Sequence, residues 1–352
     1  MEDRSMTAAP FTFNIWADMR PAPGSGDFPR RYAEVIEEVG FAEQRGFNGF
    51  WTTENHAVDD GYLQAQLPLL GGIATVTSRM RLFTSVYLLP FYDLRQTLES
   101  TIVVDLLSQG RMELGVGAGA YKREFELFGA DYPNRGQYME DSVPLLRQGL
   151  DTGQLPDGPG GSLQPLIPGP AQDRLPVFVG GMARVATDRA VRLADGHSAY
   201  DYEAPEENLP RFYREVLGPL LEREGRSLDN FRWKVATPLW VSDDPEADWA
   251  ELYGPAFEYQ QRKYVDWFGD TSVDPGLPGG ITDRNAQFVG TPEDVAVRLF
   301  DTWRQAPWHD YGFFYRLPGI PHERALEHLE LISSRLVPEL ARLAAAEGVQ
   351  TA

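Results

Sequence analysis

What most constrains this chain is an alternation. Short apolar runs and stretches with helical spacing of apolar residues succeed one another from residue 11 to residue 346, with no second run of either type. Strands are predicted at 11–17, 47–53, 81–90, from 112, and at 176–179, 197–200, 231–241 and 311–315. Helices are predicted between them, at 30–45, 62–77, 94–107, 183–193, 245–263 and 322–346. Further apolar stripes run through Met139-Val143-Leu146-Leu150, Leu209-Phe212-Val216-Leu220 and Val295-Leu299-Phe300-Trp303. The run at 81–90 is apolar on both faces, as a buried parallel strand should be. Parallel neighbours need a long crossover between them, usually a helix. Eight such units argue for an α/β fold, a closed (β/α)8 TIM barrel, with an open doubly wound sheet as runner-up.

Length and composition agree. With 352 residues and 42% hydrophobic content, one sizeable core is possible, and residues 1–352 are read as one barrel domain. Residues 151–175 and 265–287, rich in Gly, Pro and Asp, carry no period. They are expected to be irregular insertions at the C-terminal mouth, the second of them a lid. The formal charge of −20 makes nucleic acid and anionic membranes poor partners. Without cysteine there is no disulfide and no thiolate nucleophile, and no metal site is expected. The opening Met1-Glu2-Asp3-Arg4 leads into no long apolar run, so a soluble cytoplasmic protein is expected.

In a barrel, function sits at the C-terminal ends of the strands. That rule gathers Trp16, Glu54-Asn55-His56, Tyr87, Gly117-Ala118-Gly119, Gly180-Gly181, Tyr200-Asp201 and Tyr315-Arg316 onto one face. The stretch 111–129 is the most informative. Gly115, Gly117 and Gly119 stand at alternate positions, where a backbone can turn sharply and a planar ligand can approach. A dinucleotide fingerprint, Gly115-x-Gly117-x-x-Ala120, is a competing reading, but it follows at least three strand–helix units and lacks its acidic strand end. A tight turn without ligand is the plain alternative.

Taken together, these pieces resemble the bacterial luciferase-like family of flavin-dependent monooxygenases. The resemblance rests on 46–56, 111–129, 176–196, Val289-Gly290-Thr291-Pro292-Glu293 and Val337-Pro338-Glu339-Leu340. It implies a barrel, a dimer formed through helices on one side, and a reduced flavin, FMN or the deazaflavin F420, at the strand ends. It also implies a small organic substrate and a separate flavin reductase. A non-prolyl cis peptide near the flavin would fall on Ser85–Val86. The cofactor-binding positions would be Ser85, Val86, Gly117, Ala118, Gly180, Gly181, Met182, Ala183 and Arg184. Glu54, Asn55 and His56 would be the catalytic positions, with Trp16 and Tyr121 facing substrate.

Several positions depart from the family. Its Glu-His-His is Glu54-Asn55-His56 here, and Asn55 cannot take a proton near neutral pH. The reactive-cysteine position is Gly117, the neighbouring arginine is Ala118, and phosphate-holding side chains are replaced at Met182, Ala183 and Ala186. Light emission from an aldehyde is therefore not expected, and FMN should bind weakly. Glu54 is expected to orient its neighbours, and His56 to assist proton transfer or to bond structurally. An F420-dependent oxidoreductase, a non-catalytic partner subunit, and a hydrolase pairing Glu54 with Asp201 are the alternatives.

Overall fold

Eight short runs, buried at almost every position, form the predicted strands: β1 Thr12–Ala17, β2 Gly49–Thr52, β3 Arg81–Thr84, β4 Met112–Gly117, β5 Val177–Gly180, β6 Gly196–Tyr200, β7 Arg232–Ala236 and β8 Asp310–Arg316. The computed structural model describes residues 9–158, 161–268, 284 and 287–349. All barrel neighbours pair in parallel; β1 lies between β2 and β8, and β3 meets β4, which closes the sheet into a barrel. Beyond a cis Ser85–Val86 bond, β3 resumes as Tyr87–Leu88 and pairs with β4 at Tyr87↔Val116 and Leu88↔Gly117.

The barrel interior is filled by aromatic rings. Phe83 meets Trp51 edge-on at 5.1 Å and Phe178 at 5.3 Å. Glycines make the room: a Cβ at Gly115, Gly196 or Gly312 would collide with the ring of Phe83, Phe178 or Trp51 respectively. Around the sheet lie helices α1 Phe28–Gln44, α2 Gln66–Val76, α3 Leu94–Ser108, α4 Lys122–Phe128, α5 Arg135–Thr152 and α6 Arg184–Leu193, then helical segments at 205–223, 245–268, 292–305 and 322–346. Side chains satisfy several first-turn N–H groups: Asp93 accepts from Gln96 at 2.9 Å and Thr291 from Asp294 at 3.2 Å. Pro292 follows Thr291 at the helix start, where its missing N–H costs nothing.

Three late helices contain a widened turn, at Tyr213–Leu217, Trp249–Tyr253 and Ile332–Leu336. Each is followed, after one intervening residue, by a proline: Pro219, Pro255 and Pro338. A proline ring clashes with the carbonyl four residues back, and opening the preceding turn lets the helix continue past it.

The structure also departs from the sequence reading. Tyr32 and Ile36 on α1, and Val103 and Leu106 on α3, belong to the predicted apolar stripes yet are exposed. The run at 231–241 divides: after β7 ends, Leu239–Val241 pairs instead with the short strand Phe288–Gly290. The stretch at 151–175 holds a small hairpin, Gln154–Pro156 with Leu163–Pro165, which the sequence reading allows. The segment 265–287, expected to be irregular, opens as helix, because the helix Gly254–Phe268 extends to residue 268. The rest of that predicted lid, apart from Arg284 and Gln287, lies outside the described residues.

The N-terminal floor of the barrel is a buried ion network. Lys234 Nζ lies 2.7 Å from Glu113 Oε2 and 3.0 Å from Asp310 Oδ2, beneath the rings of Phe178, Phe83 and Trp51. Arg232 and Arg81 cap it from the rim. Burial alone would raise both carboxyls; Lys234 and the arginines outweigh it and hold both below the usual range.

Candidate functional site

At the opposite end, β2 runs out into Glu54-Asn55-His56. Glu54 is buried and fully engaged. Its carboxylate accepts the Leu88 N–H at 2.8 Å, Gln66 Nε2 at 3.1 Å and the Tyr92 hydroxyl at 3.4 Å. Gln66 Nε2 also donates to the Val86 carbonyl at 3.0 Å, and Gln66 Oε1 accepts from Thr52 at 2.8 Å. Glu54 therefore ties the end of β2 to the segment after β3.

His56 is buried beside it. Its Nε2 is 3.3 Å from the Tyr92 hydroxyl and 3.8 Å from Glu54 Oε1, and its ring stands edge-on to Phe128 at 4.7 Å. Its backbone N–H donates to Glu124 Oε1 at 2.6 Å. Asn55 is half-buried and anchored by its backbone N–H on the Leu63 carbonyl at 3.1 Å. Glu124 is a residue that the sequence reading missed. Burial pushes its carboxyl up to about 7, against the smaller opposing effect of the His56 N–H. Sixty-eight positions separate Glu124 from His56, so no local pattern marks the pair.

The second group surrounds Ser85–Val86. Ser85 Oγ lies 3.5 Å from Ser198 Oγ. The Val86 side chain is wedged between β4 and β5. A Cβ at Gly180 would come within 2.5 Å of Val86 Cγ1, and one at Gly117 would overlap Val86 Cγ2. The room in which a Cβ would stand at Gly117 and Gly180 is thus taken by Val86. Gly119 is a true turn glycine, with φ +72. Ala118 is half-buried against the core.

The third group is the turn from β5 into α6. The Gly181 N–H donates to the Ser198 carbonyl at 3.2 Å, and the Gly181 carbonyl lies 2.7 Å from His197 Nε2. Burial pushes the His197 imidazole down to about 4, so it is neutral and that nitrogen carries the proton. Met182 lines a cavity of about 220 Å³ with Asp201, Asn208 and Arg211. Ala183 precedes α6 without a side-chain cap, and Arg184 is exposed with Nη1 3.3 Å from the Glu215 carbonyl.

Trp16, at the end of β1, is buried and stacked on Phe314 at 4.3 Å, and its indole N–H has no partner. Tyr121 is buried in the core at the start of α4. Arg20, also missed, is buried where it bonds Asp18 at 2.5 Å and Asp60 at 3.1 Å, against the rings of Tyr62, Trp267 and Tyr264. With Gln260 donating to Asp18, this cluster pins the helix Gly254–Phe268 onto the loops after β1 and β2.

Shared side chains join the first two groups (Glu54 to Leu88, Gln66 to Val86), and Val86 joins the second to Gly180. Arg184 stands apart, in solvent. The residues fit a flavin phosphate in one respect: an uncapped helix start offers backbone N–H groups to an anion. They fit its ring in another, through the unpartnered Trp16 N–H. Elsewhere, Glu34, Glu38 and His322 bring ligand-type atoms within 4.8 Å of one another. Arg30, Arg31 and Arg316 already occupy those carboxylates; against burial, Arg31 and Arg316 hold Glu38 down to about 2, so it is an ion-pair network.

A closed parallel barrel with buried acid–imidazole contacts at the strand C-termini defines a (β/α)8 protein with its candidate site at the mouth. The profile of the luciferase-like monooxygenase family matches residues 11–309, and the chain belongs to that family. The flavin-dependent trigonelline monooxygenase, oxygenase component, of Acinetobacter baylyi is 26% identical over 137 residues, 38% of each chain. Matched segments span about a third of the length of the first curated relatives. Among solved structures, the monooxygenase RslO1 from Streptomyces bottropensis superposes with a TM-score of 0.81 at 18% identity, over 93% of this chain and 99% of that one. The oxygenating constituent of 3,6-diketocamphane monooxygenase from Pseudomonas putida, in complex with FMN, gives 0.72 at 16% identity, over 94% and 98%. At these identities the two structures speak to the fold.

Proposed function

We propose that this protein is a flavin-dependent monooxygenase that uses reduced FMN and O2 to insert one oxygen atom into a small organic substrate, the other leaving as water. The family match across residues 11–309 carries this reading. Reduced flavin, when bound, supplies the electrons that activate oxygen. The remaining roles fall to this chain. Ser85, Val86, Gly117 and Ala118 form the ring side of the site, and Gly180, Gly181, Met182, Ala183 and Arg184 the phosphate side. The Trp16 N–H orients a bound acceptor, and Tyr121 supports the substrate wall. His56 Nε2, beside the Tyr92 hydroxyl, holds or releases a proton. Glu54 fixes both, and Asn55 offers an amide to an oxygen.

The decisive experiment incubates the protein with reduced FMN, O2 and a metabolite panel. Gain of one oxygen in a panel member is the expected result. Decay of F420 absorbance without oxygen consumption would favour the deazaflavin reading, and inertness toward both would favour a non-catalytic subunit.

The phosphate side gives a sharper expectation. Arg184 is exposed, so its contact with a phosphate is partly screened. Arg184→Ala should weaken FMN binding by about tenfold, near the lower limit for a charged hydrogen bond, and leave riboflavin binding unchanged. Fluorescence titration of both ligands checks this; equal losses would mean that Arg184 acts through the fold.

The protein is further proposed to be a one-domain, cytoplasmic homodimer supplied with flavin by a separate reductase. The trigonelline relative, named as an oxygenase component, supports the reductase. Among the described residues no helix is long and apolar enough to cross a membrane. Val76 on α2 and Val103, Leu106 and Leu107 on α3 are exposed on adjacent helices, which supports a partner on that side. Leu107→Asp should therefore shift the protein toward monomer in light scattering, while a cooperative melting transition shows that it remains folded.

A further inference from the structure

The turn that carries His56 is held in a disfavoured conformation. Ala57 has φ +56, a left-handed backbone that residues with a Cβ rarely adopt. Two hydrogen bonds secure the turn: Asn55 N–H to the Leu63 carbonyl at 3.1 Å, and His56 N–H to Glu124 Oε1 at 2.6 Å. Glu124 reaches it from α4. The groups facing its carboxyl are Glu54 and His56 of the turn and Tyr92 of the segment after β3. No lysine or arginine figures among them, and Lys122, Arg123 and Glu126 of its own helix are exposed. Phe91 and Phe128, stacked at 4.8 Å, lie beside the His56 ring.

We propose that Glu124 is the positioning residue of His56: its carboxylate clamps the strained turn, keeps the imidazole within reach of the Tyr92 hydroxyl, and loosens that clamp when it takes up a proton. The inference rests on the reading of His56 as a functional group. An ionised carboxylate is a stronger acceptor than a carboxylic acid, so the His56 N–H bond weakens on protonation. Burial places that change at about pH 7. Sequence distance hid the pairing, but the geometry stands without any cofactor.

The test uses the full-length apo-protein labelled with 15N-histidine. The backbone amide resonance of His56 is followed from about pH 5.5 to 8.5. It is expected to shift with a midpoint near 7 in the native protein. In Glu124→Gln, which keeps an acceptor oxygen and cannot titrate, the part of that shift due to Glu124 should be lost. Glu124→Ala should speed hydrogen exchange at the His56 amide at least tenfold, and Ala57→Gly in that background should recover part of the lost melting temperature, because glycine tolerates the positive φ. A His56 amide that is insensitive to pH in the native protein, or that titrates unchanged in Glu124→Gln, would overturn the proposal. Glu124→Gln keeps the test readable if Glu124→Ala does not fold. The readout needs no flavin, so it fails independently of the oxygenase reading, which fails instead if the native protein oxidises nothing.

Discussion

Lys234→Met is expected to lower the free energy of unfolding by about 3–5 kcal/mol near neutral pH, the usual cost of removing one partner from a buried ion group. Methionine keeps most of the stem, so packing beneath Trp51, Phe83 and Phe178 is largely conserved and the lost charge dominates. Glu113 and Asp310 would then face each other with only the rim arginines, Arg81 and Arg232, to neutralise them. The pH dependence follows from the direction of the shifts. Both carboxyls are held below their ordinary values in the folded protein, so their stabilisation is present above the unfolded values, about 4, and is lost as pH falls through the lower folded ones. Without Lys234 that stabilisation is mostly gone already. The gap between native protein and variant should be widest above about pH 5 and narrow toward pH 3. Urea unfolding across this range measures it. Adding Glu113→Gln should recover part of the loss. A variant within about 1 kcal/mol of the native protein at pH 7 would mean that the two arginines suffice.

This network and the site at the other end differ in how far sequence could reveal them. The barrel was legible, because eight strand–helix units follow one another unbroken and each apolar run needs two covered faces. The start of the helix at Pro292 was legible too, since Thr291 and Pro292 act within one turn. Glu54 and His56 could be placed at a strand end by topology alone. What stayed hidden depends on partners distant in sequence. Glu124 reads as one more polar residue until the fold sets it against the His56 N–H. Arg20 reads as a surface charge until Asp18, Asp60 and three rings enclose it. Apolar period also says nothing about what covers a face: Ile36 and Val103 sit on their stripes and are exposed all the same. The glycines were the most instructive. A Cβ at Gly115 would meet Phe83 and one at Gly117 would meet Val86, so side chains of this protein make close approaches there that spacing alone does not identify.

That last point predicts the behaviour of Gly117→Ala. Gly117 pairs with Leu88 at the end of β4, and a methyl group there would overlap Val86 Cγ2. Val86 cannot swing away toward β5, because the other methyl already lies over Gly180. Valine is stiff at χ1, so relief must come from the backbone. Overpacking of this kind costs about 1–3 kcal/mol. Val86→Ala alone removes buried contacts and should also destabilise. The two changes together should cost less than their sum, with an interaction of about 0.5–3 kcal/mol, since the new methyl then enters the space that the valine left. The same displacement would move the Val86 carbonyl off Gln66, and through Gln66 disturb Glu54. FMN affinity should therefore fall in Gly117→Ala and recover in the double variant alongside stability. Melting curves and flavin titrations on all four proteins complete the cycle. Additive effects would show that Val86 has room to move and would return Gly117 to the role of a ligand-facing gap; stability that recovers without FMN affinity would place the flavin away from Val86.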